Sequence, residues 1–337
     1  MINKRSLVLS LILGCFFICS CSKKLESTSF TAMNTYMTVK SYGKNATAAN
    51  LLVQQEVERL EKILSTTIEG SDLYKINNSN LSEIPIKDET TFLLERGAEL
   101  YKITGGAFNP ALYPVIREWG FTTCDYKVPS EARIAELLDF TDFSKVKCKN
   151  SSVYRPTGLQ LDFGAIGKGY AGDKAIEILQ KAGIKSALLD FGGNIQVLGG
   201  KPDGSDWTVG IKNPWGGDPV VAVKLRDTCM ITSGGYERFF TAPDGQKYIH
   251  IFDGSTGRPV ENELESVTII CREGLYGDAL STSLFVMGLD KAVDFWQHSA
   301  RDFDFAIITK DKGLVYSAHL EKSISLLFDF DSVQVVE

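Results

Sequence analysis

The sequence predicts an α+β fold with mixed sheets and flanking helices, on three observations. Short runs that alternate apolar and polar residues, or run wholly apolar, recur along the chain. Helical periodicity is confined to a few scattered stretches. The two do not follow each other in the regular order that a doubly wound parallel sheet demands. With 337 residues, 44% hydrophobic and 23% charged, the chain has the composition of a globular protein and can bury one large core or two lobes. A formal net charge of −6 and the lack of a basic stripe argue against a nucleic-acid partner.

At the N-terminus, Lys4 and Arg5 precede an apolar run, Ser6 to Ser20, that is short for a membrane span. It reads as a secretory signal over residues 1–20. Ile18-Cys19-Ser20-Cys21 resembles a bacterial lipobox. That resemblance implies a lipid-modified Cys21 (palmitate among the acyl groups) as mature N-terminus, a polar lipidated tether over 21–30 and a folded domain over 31–337. The expected location is therefore outside the cytoplasm, lipid-anchored to the bacterial cell membrane and facing the periplasm. Soluble export behind a plain signal peptide is the alternative. Beyond Cys21 stand Cys124, Cys148, Cys229 and Cys271, with no C-x-x-C pair and no histidine cluster to suggest zinc. Export permits disulfides. Cys124 with Cys148 is one pairing, and buried free thiols are the other reading.

Phe30 to Ser41 alternates as a strand. Ala46 to Leu64 reads as a helix with Leu52, Val53, Val57, Leu60, Ile63 and Leu64 as its stripe. Ser65 to Asn80 is polar and turn-rich. Glu89 to Ile103 is a helix with Asp88 as N-cap and Thr104-Gly105-Gly106 as its stop. Pro129 to Leu138 is a short helix capped by Ser130, and residues 139–158 are irregular.

Residues 159–194 organise the chain. Leu159 to Phe163 reads as a buried strand, and Gly164, Gly167, Gly169 and Gly172 follow as a glycine loop. Asp173 opens a helix, and Lys185 to Phe191 is a second buried strand. A strand, a glycine loop carrying Lys168 and a helix together offer N–H groups and a cation to an anion, most often a phosphate. Gly167 to Gly172 also matches G-x-G-x-x-G, but the spacer after the strand and the lysine inside the turn disfavour dinucleotide binding of the Rossmann type. Further on, strands are expected at 195–199, 207–212, 220–225, 267–271, 303–309, 313–318 and 324–334, with helices at 277–287 and 290–299.

Asp278 and Thr282 are four apart, on one helical face, with Ser281 beside them. These oxygens are hard ligands suited to magnesium, although an Asp near a helix start is often only a cap. His250 is a candidate general base; a hydrogen-bonded strand histidine is the plainer reading.

Seven stretches occur in one order: AMNTYMTV (32–39), AFNPALYPVIREWGF (107–121), DFGAIGKGYAGD (162–173), DFGGNIQVLG (190–199), TSGGYERFF (232–240), HIFDGSTGRP (250–259) and DALSTSLFVMG (278–288). Together they resemble the ApbE family of FAD:protein FMN transferases, over nearly all of the chain from residue 30 onward. The resemblance implies a T-fold-like body with FAD in a cleft between lobes. It implies Mg²⁺-dependent transfer of FMN from FAD to a Thr or Ser hydroxyl, with release of AMP. The implied acceptors are exported flavoprotein subunits carrying a Ser/Thr-Gly-Ala-Thr-like sequence. By position, Met33, Ala107, Phe108, Asn109, Asp162, Lys168 and Phe252 match FAD-site positions, and Ala165 (through its carbonyl), Asp278, Ser281 and Thr282 match the magnesium site. His250 matches the proposed base. Departures are Asn34 for a usual Gly, Asn109 for a usual Asp, Gly254 for a common Pro, and Thr67 where an aromatic often stacks on the flavin. Loss of that stack raises the alternative of an FAD pyrophosphatase giving FMN and AMP. A non-catalytic FAD-binding lipoprotein is the third reading.

Overall fold

The computed structural model describes residues 24–243, 245–300 and 302–337, so the expected signal segment and Cys21 lie outside the described residues. Its centre is a nine-stranded sheet. The strand order is 25–32, 35–42, 186–191, 194–198, 228–234, 264–271, 304–309, 313–317 and 332–336. Neighbours are antiparallel except Gly313–Ser317 with Ser332–Val336, which are parallel.

Alternation along each strand decides what covers each face. Cys229 and Ile231 face the helices Gly274–Met287 and Leu289–His298. Met230 points the other way, onto a small sheet of Trp207–Ile211, Val221–Leu225 and Ile324–Leu326. Ile269 and Ile270 divide in the same manner. Helices Ala46–Leu64, Asp88–Ile103 and Gly167–Lys181 cover the Met37, Val39 and Leu189 end. With both faces covered, strands such as Asn194–Leu198 are buried at every position and do not alternate in polarity.

The helix expected over 46–64 spans those residues, but Leu52 of its stripe is 51% exposed while Val53, Val57, Leu60 and Ile63 are buried. The expected tether over 21–30 is corrected from Leu25 onward, where the chain forms the edge strand Leu25–Ala32. The single strand expected over 30–41 is a hairpin instead. Met33 and Asn34 take φ of 49° and 58°, the two positive values that a tight hairpin turn needs, and the Met33 N–H donates to Glu61 Oε1 at 2.7 Å. The segment read as turns holds the helix Asp72–Asn78, capped by Ser71. Asp88 is not the cap of its helix. Lys87 occupies that position, and Asp72 reaches across to accept from the Lys87 N–H and the Thr90 hydroxyl at 2.7 and 2.8 Å.

Leu159 to Phe163 joins no ladder. Asn77 takes the place of a neighbouring strand, accepting from the Leu161 N–H at 2.7 Å and donating to the Leu161 carbonyl at 2.8 Å. The expected strand 324–334 is split between Ile324–Leu326 in the small sheet and Ser332–Val336 in the large one. Residues 139–158, expected to be irregular, contain strands Lys147–Lys149 and Ser152–Tyr154. Cys124 and Cys148 are free thiols, and the cysteines that approach are Cys229 and Cys271, with sulfurs 3.4 Å apart.

The helix expected to open at Asp173 opens at Gly167, so three of the four glycines are not loop. Glycine is a poor helix former, and its presence here reflects close approach. A Cβ at Gly169 would run into the carbonyl of Gly274, and one at Gly274 would strike Gln196 and the Gly169 carbonyl. The two helices therefore meet backbone to backbone. Gly169→Ala should lower unfolding free energy by about 1–3 kcal/mol. Gly167→Ala should change it by less than about 0.5 kcal/mol, since nothing lies within 4 Å of its Cβ position. Urea midpoints for the two variants check this, and equal midpoints would contradict the close-approach account.

Candidate active site

The polar centre lies where the Gly167–Lys181 and Gly274–Met287 helices begin side by side. Asp278, one turn into its helix and 4% exposed, accepts from the Gly169 N–H at 2.9 Å. In a regular helix that N–H would bond the carbonyl of Ala165. Among the described residues the Ala165 carbonyl takes no backbone hydrogen bond, and nothing accepts from the Lys168 N–H. Lys168 Nζ stands 3.9 Å from Asp278 Oδ1. Thr282 shares the face of Asp278, and Ser233 Oγ bridges it, 3.2 Å from Thr282 Oγ1 and 2.9 Å from Ser281 Oγ. Ser281 is fully buried and donates back to the Asp278 carbonyl at 2.9 Å. Its hydroxyl is thus engaged inside the protein, and Thr282 is the better-placed ligand of the two.

His250 follows the short strand Lys247–Ile249. Its Nδ1 is 3.1 Å from the carbonyl of Arg238. A carbonyl can only accept, so Nδ1 carries the proton and Nε2 keeps its lone pair. Desolvation, with Arg238 and Lys168 nearby, pushes the His250 pKa down to about 4. The ring is therefore neutral at neutral pH. Burial pushes the Asp162 carboxyl upward, opposed by the N–H groups of Gly164 and Phe163 and by Arg238 and Lys168. Those shared charges gather Asp162, Lys168, Arg238 and His250 at one place. The Arg238 guanidinium is anchored on the Phe121 carbonyl at 2.6 Å.

A cavity of about 1160 Å³ is lined by Ala107, Asn109 and Asp253 to Ser255 together with residues of four helices, and none of Asp162, Lys168, Arg238, His250 or Asp278 lines it. Its walls are tied to the centre, because the Asp162 N–H donates to the Pro110 carbonyl at 2.9 Å and Gly254 packs on Asn109. Asn109 accepts from the Ala111 N–H and donates to the Thr141 carbonyl, both at 2.9 Å. Much of its amide is thus used to hold the loop. Phe108 is 2% exposed in the main core and presents no wall. Phe252 is 4% exposed in an aromatic cluster with Trp119 and Phe121. Met33 sits at its hairpin turn against Glu61.

The residues suit a magnesium ion. The site offers one carboxylate, a hydroxyl and a carbonyl left without its helical partner, all hard oxygens. Among the described residues no three His, Cys, Asp or Glu side chains converge. Mg²⁺ commonly uses one or two carboxylates and draws its other ligands from phosphate and water. Sequence reasoning did not single out Ser233, Arg238 or Gln196. Ser233 and Arg238 fall within the TSGGYERFF stretch and Gln196 within DFGGNIQVLG, but nothing local marked these side chains individually.

A profile of the ApbE family matches residues 33–307. An FAD:protein FMN transferase of Treponema pallidum is 35% identical over 283 residues, which is 77% of this chain and 78% of the relative. The crystal structure of the ApbE protein of Thermotoga maritima superposes with a TM-score of 0.80 at 30% identity, covering 85% of this chain and 95% of its own. The flavinyl transferase ApbE of Pseudomonas stutzeri, in its apo form, gives 0.77 at 28% identity, covering 87% and 94%. Its α+β fold is that of these solved structures, and the chain belongs to the ApbE family.

Proposed function

We propose that this chain is an FAD:protein FMN transferase that moves FMN from FAD to a Ser or Thr hydroxyl of an exported flavoprotein, releasing AMP. The observation that carries the reading is the juxtaposition of a neutral histidine with a lysine, the buried Asp278 carboxylate and two helix N-termini. A diphosphate is strongly anionic, and Lys168 offers it both an ammonium group and an N–H without a protein acceptor. Asp278, Thr282 and the Ala165 carbonyl would hold a Mg²⁺ ion, which supplies positive charge to the diphosphate when bound. His250 Nε2 takes the proton as the acceptor oxygen bonds to the FMN phosphorus. The bond to the AMP phosphate oxygen breaks, and AMP leaves with that electron pair. The cavity accommodates the remainder of the nucleotide.

A second reading, FAD hydrolysis, rests on Thr67. Thr67 is exposed, and its hydroxyl lies 3.2 Å from that of Ser65. No aromatic ring stands at that position to hold a flavin, so water could compete with the acceptor. The presence of Lys168, His250 and Asp278 in this chain disfavours a non-catalytic role. The lipobox resemblance supports a membrane-anchored enzyme acting outside the cytoplasm.

Incubation with FAD, Mg²⁺ and an exported flavoprotein carrying the acceptor sequence should yield FMN-modified acceptor by mass spectrometry. Free FMN and AMP with unmodified acceptor would favour hydrolysis, and intact FAD would remove both readings. His250→Ala should lower kcat by about 10²–10⁴-fold with little change in FAD affinity. For the wild type, the acid limb of kcat/KM should fall near pH 4, not near 6.5, because the free-enzyme histidine is held neutral. A limb near 6.5 would count against His250 as the base. Lys168→Ala should weaken FAD binding about tenfold or more in fluorescence titration, as expected for a charge-assisted phosphate contact. An unchanged dissociation constant would remove Lys168 from the phosphate site.

A further inference from the structure

We propose that Asp173 is a positioning residue that sets the Asp278 carboxylate by capping the Gly274–Met287 helix from the helix beside it. The first N–H groups of any helix need outside acceptors. Glu273 holds the N-cap position of the Gly274–Met287 helix, but its side chain makes no capping bond. Asp173 supplies the missing acceptors across the interface, with Oδ1 2.7 Å from the Gly274 N–H and Oδ2 2.9 Å from the Leu275 N–H.

The exchange is reciprocal. Asp173 lies one turn beyond Gly169 and caps the helix that carries Asp278. Asp278 lies one turn beyond Gly274 and accepts from the Gly169 N–H at 2.9 Å. Gln196 closes the ring from the sheet, donating from Nε2 to the Gly169 carbonyl at 2.9 Å. The absence of Cβ atoms at Gly169 and Gly274 lets the two backbones come this close. Burial lifts the Asp173 carboxyl to about 7 against the N–H groups of Leu275 and Gly274, so the fold retains a carboxyl that is costly to keep charged there. A helix shift would carry Asp278 away from Gly169 and Lys168 together. Asp173 therefore acts on the site without touching ligand. Partners that orient metal ligands typically change metal affinity by about 10–100-fold when replaced.

The inference rests on the magnesium reading, and its test separates the two. Asp173→Asn keeps the shape but turns one acceptor into an N–H₂ facing an N–H. In metal-free protein, the Gly169 amide should exchange with deuterium about tenfold or more faster than in wild type, measured by NMR. Mn²⁺ titration followed by electron spin resonance should give a dissociation constant raised about tenfold. FAD affinity without metal should stay within about twofold, which general loosening of the fold would not allow. A cooperatively melting variant with wild-type Mn²⁺ affinity overturns the proposal, as does one that loses metal-free FAD binding in parallel. If the wild-type protein takes up no Mn²⁺, the metal reading fails. Gly169 exchange alone then decides whether Asp173 sets Asp278. If Asp173→Asn does not fold, Gln196→Met takes the same two readouts with expected changes of about threefold, the value of one hydrogen bond. Wild-type values there overturn the proposal.

Discussion

The site depends on one contact, the meeting of two helix N-termini at Gly169 and Gly274, where neither residue brings a side chain of its own. Such a meeting is electrostatically unfavourable in isolation, since each end carries a partial positive charge and unpaired N–H groups. The protein resolves this with two carboxylates, each capping the first turn of the other helix. One of them, Asp278, keeps an oxygen facing Lys168. The arrangement also diverts the Gly169 N–H from its helical acceptor and leaves the Ala165 carbonyl without that bond. Helix packing, capping and the composition of the candidate metal site are thus one set of bonds.

The neighbouring charges follow the same logic. Lys168 and Arg238 stand near His250, and desolvation and these cations keep its ring neutral. A pKa of about 4 makes a weak base. Binding an anionic diphosphate between the cations would offset part of their effect and raise the basicity of the ring. The substrate would then help prepare the group that accepts the acceptor's proton. The carbonyl of Arg238 holds Nδ1, so the remaining lone pair has a defined direction.

Much of this was legible in the sequence where the signal is local. The helix Ala46–Leu64 shows a long apolar stripe, and Asp278 with Thr282 share a face by simple periodicity. What escaped was set by distant partners. Leu159 to Phe163 has a strand's composition, but Asn77 supplies its hydrogen bonds. The glycines after it favour a loop by propensity, yet tertiary close approach makes them helical. Asp173 read as a helix opener because an acidic residue ahead of an apolar stripe is a common start; its true target is another helix. Ala107 and Asn109 line the cavity, but the amide of Asn109 is bonded to Thr141 and Ala111, and the Phe108 ring turns into the core.

Whether such a centre transfers FMN or merely hydrolyses FAD does not depend on its charged groups. Nε2 of His250 would deprotonate a water as readily as a threonine hydroxyl, and Lys168 would hold the diphosphate in either case. Selection must come from how long the nucleotide stays and from how fully water is kept from the phosphorus. Asn109 and Gly254 bear on the first, since they pack together at the junction of cavity and centre. Thr67 bears on the second, because a small exposed hydroxyl covers less of a flat ring than an aromatic does. An acceptor protein would fill the space that the missing ring leaves open. On the transferase reading, the acceptor's own surface would take over part of the water-excluding role at that position, and docking of the acceptor would then favour transfer over hydrolysis.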